Sequence, residues 1–263
     1  MKKNPRILLT NDDGVDAPGL AILLDIAREL SDDVWVVAPD ANQSGTGHRF
    51  TLGYEVELDQ RGERIYALNG TPADCVVAGM THLLKDRRPD IVLSGINRGQ
   101  NLGDIVHCSG TAAGAREGAL QGAIGIALSQ SMDYDHGRDE IDWACAAALG
   151  AQAIRAILDV FDNSDTYFNV NFPISAPEDI TGIRLVPHQR FARSPFELYA
   201  SDNPGKHFVT ILQTPKPLDA DADFHILHED NAITVTPLML QQTDMDFVNR
   251  FGGRLPFEGP GRT

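Results

Sequence analysis

Short apolar runs recur between residues 5 and 180 with helix-like segments between them, and this alternation constrains the fold more than any other feature. Arg6-Ile7-Leu8-Leu9-Thr10, Val34-Trp35-Val36-Val37-Ala38, Asp90-Ile91-Val92-Leu93-Ser94, Gly122–Ser129 and Tyr167–Phe172 read as strands. Most are apolar throughout, as in strands covered on both faces. Pro18 opens a helix to about Leu30, in which Leu20, Leu23, Leu24 and Ala27 share one face. Further helices are predicted over Cys75–Lys85, Thr111–Gln121 and Asp142–Phe161, and a hairpin from Tyr54–Leu58 and Arg64–Leu68 around Gly62. Such a chain folds as an α/β unit, with right-handed crossovers and a mainly parallel sheet between helices.

The texture changes after Gly182. Short β-like pieces (Gly182–Val186, His207–Leu212, Ala232–Thr236) alternate with loops, of which TPKPLDADAD gathers Asp219, Asp221 and Asp223 as a solvated connection. Asp244–Thr263, with Phe247, Phe251 and Phe257, reads as an extended tail that packs on something, such as another subunit. The expected organisation is a core over residues 1–181 and a β-rich extension and tail over 182–263 that serves oligomerisation.

Charge narrows the partners. The net charge is -15, from 37 acids against 22 bases, and a surface of that sign repels DNA and long RNA. A small anion is still admissible where a local cation or oriented amides offset the field. No apolar stretch approaches the ~20 residues of a membrane span. The apolar run behind the basic start is only Ile7–Leu9, too short for a secretory signal. The expected location is the cytoplasm. Cys75, Cys108 and Cys145 show no CxxC spacing, which fits reduced thiols.

In a parallel sheet, the loops after the first three core strands emerge together at the carboxyl edge, where open α/β sheets bind ligands. They are Asn11-Asp12-Asp13-Gly14, the loop Pro39–His48, and Ser94–Asn101. On a regular strand Asp12 and Asp13 would point to opposite faces. They share a ligand only if the chain turns, as Gly14 permits. Asp-Gly is also an ordinary solvated turn, but a proline-started helix follows here and not a hairpin strand. Carboxylates with serine hydroxyl and asparagine carbonyl donors suit Mg²⁺, Mn²⁺ or Ca²⁺ better than zinc. Cys108-Ser109-Gly110-Thr111 opens a helix, where free N–H groups favour phosphate; an N-cap by Ser109 or Thr111 is the plainer and compatible reading. Gln43–His48 is a weaker phosphate cradle. His48 and His107 read first as ordinary packing or surface residues and second as proton donors or phosphate contacts. A cysteine phosphatase is disfavoured because Gly114 stands where its arginine would be, and a Gly-x-Ser-x-Gly elbow is absent.

The segments ILLTNDDG, VVAPDANQSGTGH, NGTPADCV, LSGINRGQNLGD and SGTAAGAREGAL, with NVNFP and ITVTPL further on, resemble the stationary-phase survival protein SurE family of metal-dependent nucleotidases. The resemblance implies a Rossmann-like core with a C-terminal β extension that builds homodimers or homotetramers. It implies hydrolysis of nucleoside 5′- or 3′-monophosphates with a divalent cation, Mg²⁺ or Mn²⁺. Metal ligands carry over to Asp12, Asp13, Ser44 and Asn97, with the two aspartates also catalytic. Phosphate contacts carry over to Ser109, Gly110 and Thr111, with Asn97 and Asn101 beside them. Ile105 stands where the family has a second acid, and Cys108 where it has Tyr or His. Two rival functions use the same site: a non-catalytic nucleotide-binding module and an exopolyphosphatase.

Overall fold

Along the chain, β1 (Ile7–Thr10), α1 (Pro18–Arg28) and β2 (Val34–Pro39) are followed by the hairpin β3 (Leu58–Gly62) and β4 (Ile65–Leu68). Next come α2 (Pro72–Val77), β5 (Ile91–Arg98), α3 (Gly110–Leu120), β6 (Ile124–Gln130), α4 (Ala144–Val160) and β7 (Thr166–Phe172). The later residues add β8 (Ile183–Leu185), β9 (Glu197–Ala200), β10 (His207–Thr210), α5 (Asp223–His228), β11 (Ile233–Met239) and α6 (Met245–Arg250). These elements come from a computed structural model, which describes residues 4–132, 141–162, 165–211, 214 and 216–253.

One sheet runs in the order β3-β4-β2-β1-β5-β6-β7-β11-β8. From β4 to β7 every pairing is parallel. The α/β architecture with helices on both faces is therefore present. Alternation along β1 supplies the two cores. Ile7 and Leu9 lie with Leu20, Leu23, Ile154 and Ile157 beneath α1 and α4. Leu8 packs on the opposite face with Val37, Val76, Met80 and Val92. All four β1 residues are buried, which is why the strand carries no solvent-facing polar row.

Several local expectations shift. The helix expected from Cys75 starts at Pro72 and continues as a π-helical turn over Ala78–Leu83. Its start is a capping box: Asp74 N–H donates to Thr71 Oγ1 at 3.3 Å, and Asp74 Oδ2 accepts from Thr71 N–H at 2.9 Å. The hairpin begins four residues later than its first expected strand, and β4 joins β2 in parallel. The last part of the chain does not stand apart from the main sheet. β11 pairs antiparallel with β7 and carries β8 beside it, while β9 and β10 form a separate exposed hairpin.

Two readings of the C-terminal region are corrected. Asp219 and Asp221 are exposed as expected of a loop, but Asp223 is fully buried at the start of α5. Its carboxylate accepts from the N–H groups of Gly103, Gln189 and Phe224 at 2.8–2.9 Å. Sequence spacing gave no sign of the two distant donors, Gly103 and Gln189. The tail is not extended throughout: α6 is capped by Asp244, which accepts from Phe247 N–H at 2.8 Å. Phe247 and Phe251, the latter at the C-cap of α6, pack one turn apart with their rings tilted at 46° and centroids 4.9 Å apart. Phe257 lies outside the described residues.

Asp74 also accepts from Thr51 N–H and Oγ1, so it ties the end of the loop after β2 to α2. Burial alone would raise its pKa, but the hydrogen bonds from Thr51 and Thr71 outweigh it and hold the carboxyl below 3.8. The stabilisation is therefore complete above the ordinary carboxyl range and is lost as pH falls through the depressed value. Asp74→Asn should cost about 1 kcal/mol near pH 7. In paired thermal melts, that gap from the parent protein should shrink as the pH is lowered to about 3.

Candidate functional site

β1 ends at Thr10, and the chain turns at once. Asn11 Nδ2 donates to Gly14 O at 2.8 Å, and Gly14 N–H returns to Asn11 Oδ1 at 3.3 Å. Gly14 has φ of 109°, a conformation that strains any side chain. The turn separates the two acids. Asp12 is 4% exposed and faces α3, whereas Asp13 is half-buried and accepts from Arg98 N–H at 3.1 Å.

Asp12 lies against the first turn of α3. Its Oδ1 accepts from Thr111 Oγ1 at 2.6 Å. A Cβ added at Gly110 would come within 2.8 Å of Asp12 Cβ and 2.9 Å of Oδ2, so a residue without a side chain is required there. Burial raises the Asp12 pKa to about 6, and the neighbouring Asp13 adds to the rise. The Thr111 hydroxyl and the amides around the site pull the other way, as does the positive end of α3. Burial likewise raises the Asp13 pKa, against the opposing pull of Arg98.

The other two loops close around this pair. Gln43 N–H donates to Asp12 O at 2.7 Å and Val15 N–H to Pro39 O at 2.8 Å, which fastens the loop after β2 to the aspartate turn. Gly47 N–H donates to Cys108 O at 3.0 Å. Ser44 sits on this loop and is exposed. β5 shifts register against β6 between Ser94 and Asn97, a bulge that re-aims the strand end. Asn97 Nδ2 donates to Gly99 O at 2.6 Å, leaving Oδ1 as the atom it can offer a cation.

Ser109 is the N-cap of α3, its Oγ accepting from Ala112 N–H at 3.0 Å. Asn101 is buried behind Thr111. Its Nδ2 donates to Ser129 Oγ at 2.9 Å and lies 3.5 Å from Thr111 Oγ1. Asn169 and Asn171 of β7 hold the Asn101 backbone: their Nδ2 atoms donate to Asn101 O, and Asn171 Oδ1 accepts from Asn101 N–H. The structure thus brings Asp12, Gly110, Thr111 and Asn101 into one contiguous group, and hangs Asp13 on the end of β5 beside Asn97. Among the described residues no hydrogen bond joins Ser44 to the aspartates; its N–H donates to Asn42 Oδ1 at 2.9 Å.

Some participants were not singled out from sequence. Arg98 acts through its backbone, which no side-chain pattern reveals. Asn169 and Asn171 did carry a signal, because residues two apart on a buried strand share a face and buried amides need partners. His48 Nε2 pairs with the buried Glu117 of α3 at 3.0 Å, which supports its reading as a packing residue. Cys108 gives its thiol to Ile105 O at 3.1 Å, and burial raises its pKa, so it is a poor nucleophile.

The donor set is all oxygen, and among the described residues no arginine, lysine or histidine forms an ion pair with either carboxylate, although the Arg98 charge draws on Asp13. A hard divalent cation fits these residues: it would offset the desolvation that raises both aspartates. Beside Asp13 opens a cavity of about 940 Å³, with Asn42 and Arg98 at one end and Met132, Ile141, Trp143 and Ile174 along its apolar wall.

Fold and site together define an α/β protein with an acidic, oxygen-donor centre at the carboxyl edge of a parallel sheet, set against a helix N-terminus. Residues 7–194 match the family model described as Survival protein SurE, and the chain belongs to that family. It is 45% identical over 249 residues to a 5′-nucleotidase SurE of Methylorubrum populi, covering 94% of this chain and 97% of that protein. It is 41% identical to a 5′-nucleotidase SurE of Afipia carboxidovorans, covering 92% of this chain and 95% of the relative. The crystal structure of the SurE protein from Aquifex aeolicus superposes with a TM-score of 0.80 at 32% identity, covering 94% and 98% of the two chains.

Gly110→Ala tests the close approach to Asp12. The added methyl should displace the carboxylate and cost about 1–3 kcal/mol. Calorimetric titration with Mn²⁺ should show weaker binding than in the parent protein.

Proposed function

We propose that this protein is a divalent-metal-dependent 5′-nucleotidase that hydrolyses nucleoside monophosphates, at the 5′ or 3′ position, to nucleoside and phosphate. The observation that carries the reading is the buried Asp12 carboxylate, pressed on the start of α3 with Asp13 next to it and its pKa raised to about 6. Family membership and relatives that are named 5′-nucleotidase support the reaction class.

Asp12, Asp13, Ser44 and Asn97 would hold the cation, Mg²⁺ or Mn²⁺. When bound, it supplies electrostatic stabilisation of the charge on the phosphoryl oxygens. The remaining work falls to the chain itself. Ser109, Gly110 and Thr111 present the positive end of α3 to the phosphate. Asn97 and Asn101 lie to the side of it, and Asn101 keeps Thr111 in place through its buried amide. Water attacks phosphorus in line with the departing ribose oxygen, and its proton passes to one of the two aspartate carboxylates. The apolar wall of Trp143, Met132 and Ile174 offers the nucleoside a surface out of water.

The same reading makes the protein a cytoplasmic enzyme that assembles as a homodimer or homotetramer through residues 182–263. Among the described residues no helix is long and apolar enough to cross a membrane. The β9–β10 hairpin exposes Leu198, Tyr199, Phe208 and Val209, each more than half accessible, which supports a role in assembly.

Phosphate release from AMP is expected with Mn²⁺ or Mg²⁺ and should stop in EDTA. Asp13→Asn should lower turnover by about a hundredfold or more. Undiminished hydrolysis in EDTA would overturn the mechanism.

A further inference from the structure

The described residues contain a second group of metal-type donors that the proposed reaction does not use. Asp104 and His107 lie on the 3₁₀ turn Gly103–Cys108, and His188 follows β8. His188 Nε2 is 3.6 Å from Asp104 Oδ1, and His107 Nε2 is 4.0 Å from the same oxygen. Ligand atoms of all three residues fall within 4.8 Å of one another. The two imidazoles meet edge to face, with centroids 6.2 Å apart.

Two details separate this group from a chance meeting of surface side chains. Asp104 Oδ2 is held by Phe191 N–H at 2.9 Å, which directs Oδ1 toward the histidines. Asp104 Oδ1 and His188 Nε2 are both closed to solvent, and neither has a hydrogen-bond partner. A buried oxygen and a buried nitrogen 3.6 Å apart with no hydrogen bond to either are rare in folded proteins; the Arg190 guanidinium pairs with the oxygen alone, whereas a metal ion between the two atoms would satisfy both.

We propose that Asp104, His107 and His188 bind a zinc-class divalent cation at a site distinct from the oxygen-donor centre at Asp12 and Asp13. Two imidazoles with one carboxylate suit a borderline ion, whereas the first centre, all oxygen, suits a hard one. Bonds of about 2.0–2.1 Å set tetrahedral ligands about 3.4 Å apart, so the donors, which lie within 4.8 Å of one another, would have to close in by up to about 1.4 Å, a movement open to the exposed His107 side chain. His107 and His188 also line a cavity of about 560 Å³ that reaches Ser109 and Arg116, from which water could complete the coordination. Arg190 Nη1 lies 3.4 Å from Asp104 Oδ1, but its side chain is 73% exposed and free to swing into solvent. An anion is a poor occupant, because the carboxylate lies at the centre of the group.

The bound ion would cross-link the turn that leads into Ser109–Thr111 with the first part of the C-terminal region. Asp223 already bridges the same two segments through Gly103 N–H and Gln189 N–H. The ion would strengthen that joint, and it would act on the phosphate-facing helix end by holding its approach.

The test uses the full chain carrying Asp13→Asn, which weakens the hard centre, titrated with Zn²⁺ alone in a calorimeter and with Co²⁺ followed by visible absorption. One equivalent of Zn²⁺ should bind, Co²⁺ should give the intense spectrum of a tetrahedral site, and Zn²⁺ should raise the melting temperature. Adding His107→Ala, an exposed position whose loss the fold tolerates, or His188→Gln should weaken Zn²⁺ binding by about a hundredfold, at least the cost of losing an outer partner. Either added substitution should also abolish the thermal shift. Retention of full zinc affinity in both histidine variants would overturn the proposal, as would failure of the Asp13→Asn protein to bind Zn²⁺. Binding of inorganic phosphate at these residues in place of Zn²⁺ would overturn it as well.

Discussion

The contact between Asp12 and the first turn of α3 is the constraint on which the rest of the site depends. A carboxylate this deeply buried is unfavourable as an anion, and the fold answers with the Thr111 hydroxyl, nearby amides and the positive end of a helix. The helix can come so close only because its sheet-facing residues are small. Gly110, Gly114 and Gly118 share that face, and a Cβ on them would strike Asp12, Ser94 or Val92 respectively. Helix and strand are thus matched by the absence of side chains, and the charge sits where they meet.

Polar order extends well behind that contact. Thr111 is backed by Asn101, and Asn101 by Ser129, Asn169 and Asn171 from two neighbouring strands. Burying so many amides is costly unless they find partners, and the parallel register of β6 with β7 brings most of them together, with Asn169 Oδ1 left without a hydrogen bond. A rigid second layer of this kind fixes the hydroxyl that reaches Asp12, as a preorganised phosphoryl-transfer site requires.

The residues from 98 to 111 connect everything that the chain brings to this edge. Arg98 holds Asp13, Asn101 steadies Thr111, Asp104 and His107 reach the C-terminal region, and Ser109 caps α3. The C-terminal region supports the same stretch from outside through Asp223 and Phe191. Sheet pairing of β11 with β7 and β8 makes that support part of the main framework and not a loose appendage.

Much of this was legible in residue order. Runs such as ILLT and VWVVA could be buried only between helices, and the Asn-Asp-Asp-Gly turn followed by a proline-started helix marked the sheet edge as chemical. Those features are local: periodicity, turn residues and caps act within a few positions of themselves. What depends on groups far apart in the chain could be decided only by tertiary structure. Asp223 looked like one more loop acid until the distant N–H groups of Gly103 and Gln189 joined that of Phe224 around it, and the tail's helix α6 had no strong periodic signal. His107 read first as an ordinary surface residue and His188 drew no reading at all, because their meeting at Asp104 joins positions some eighty residues apart. The sequence by itself determined which segments become strands and helices and which loops carry oxygen donors. Tertiary packing alone decided how deeply Asp12 is buried and which distant side chains face one another, because desolvation and long-range contact exist only once the chain has closed on itself.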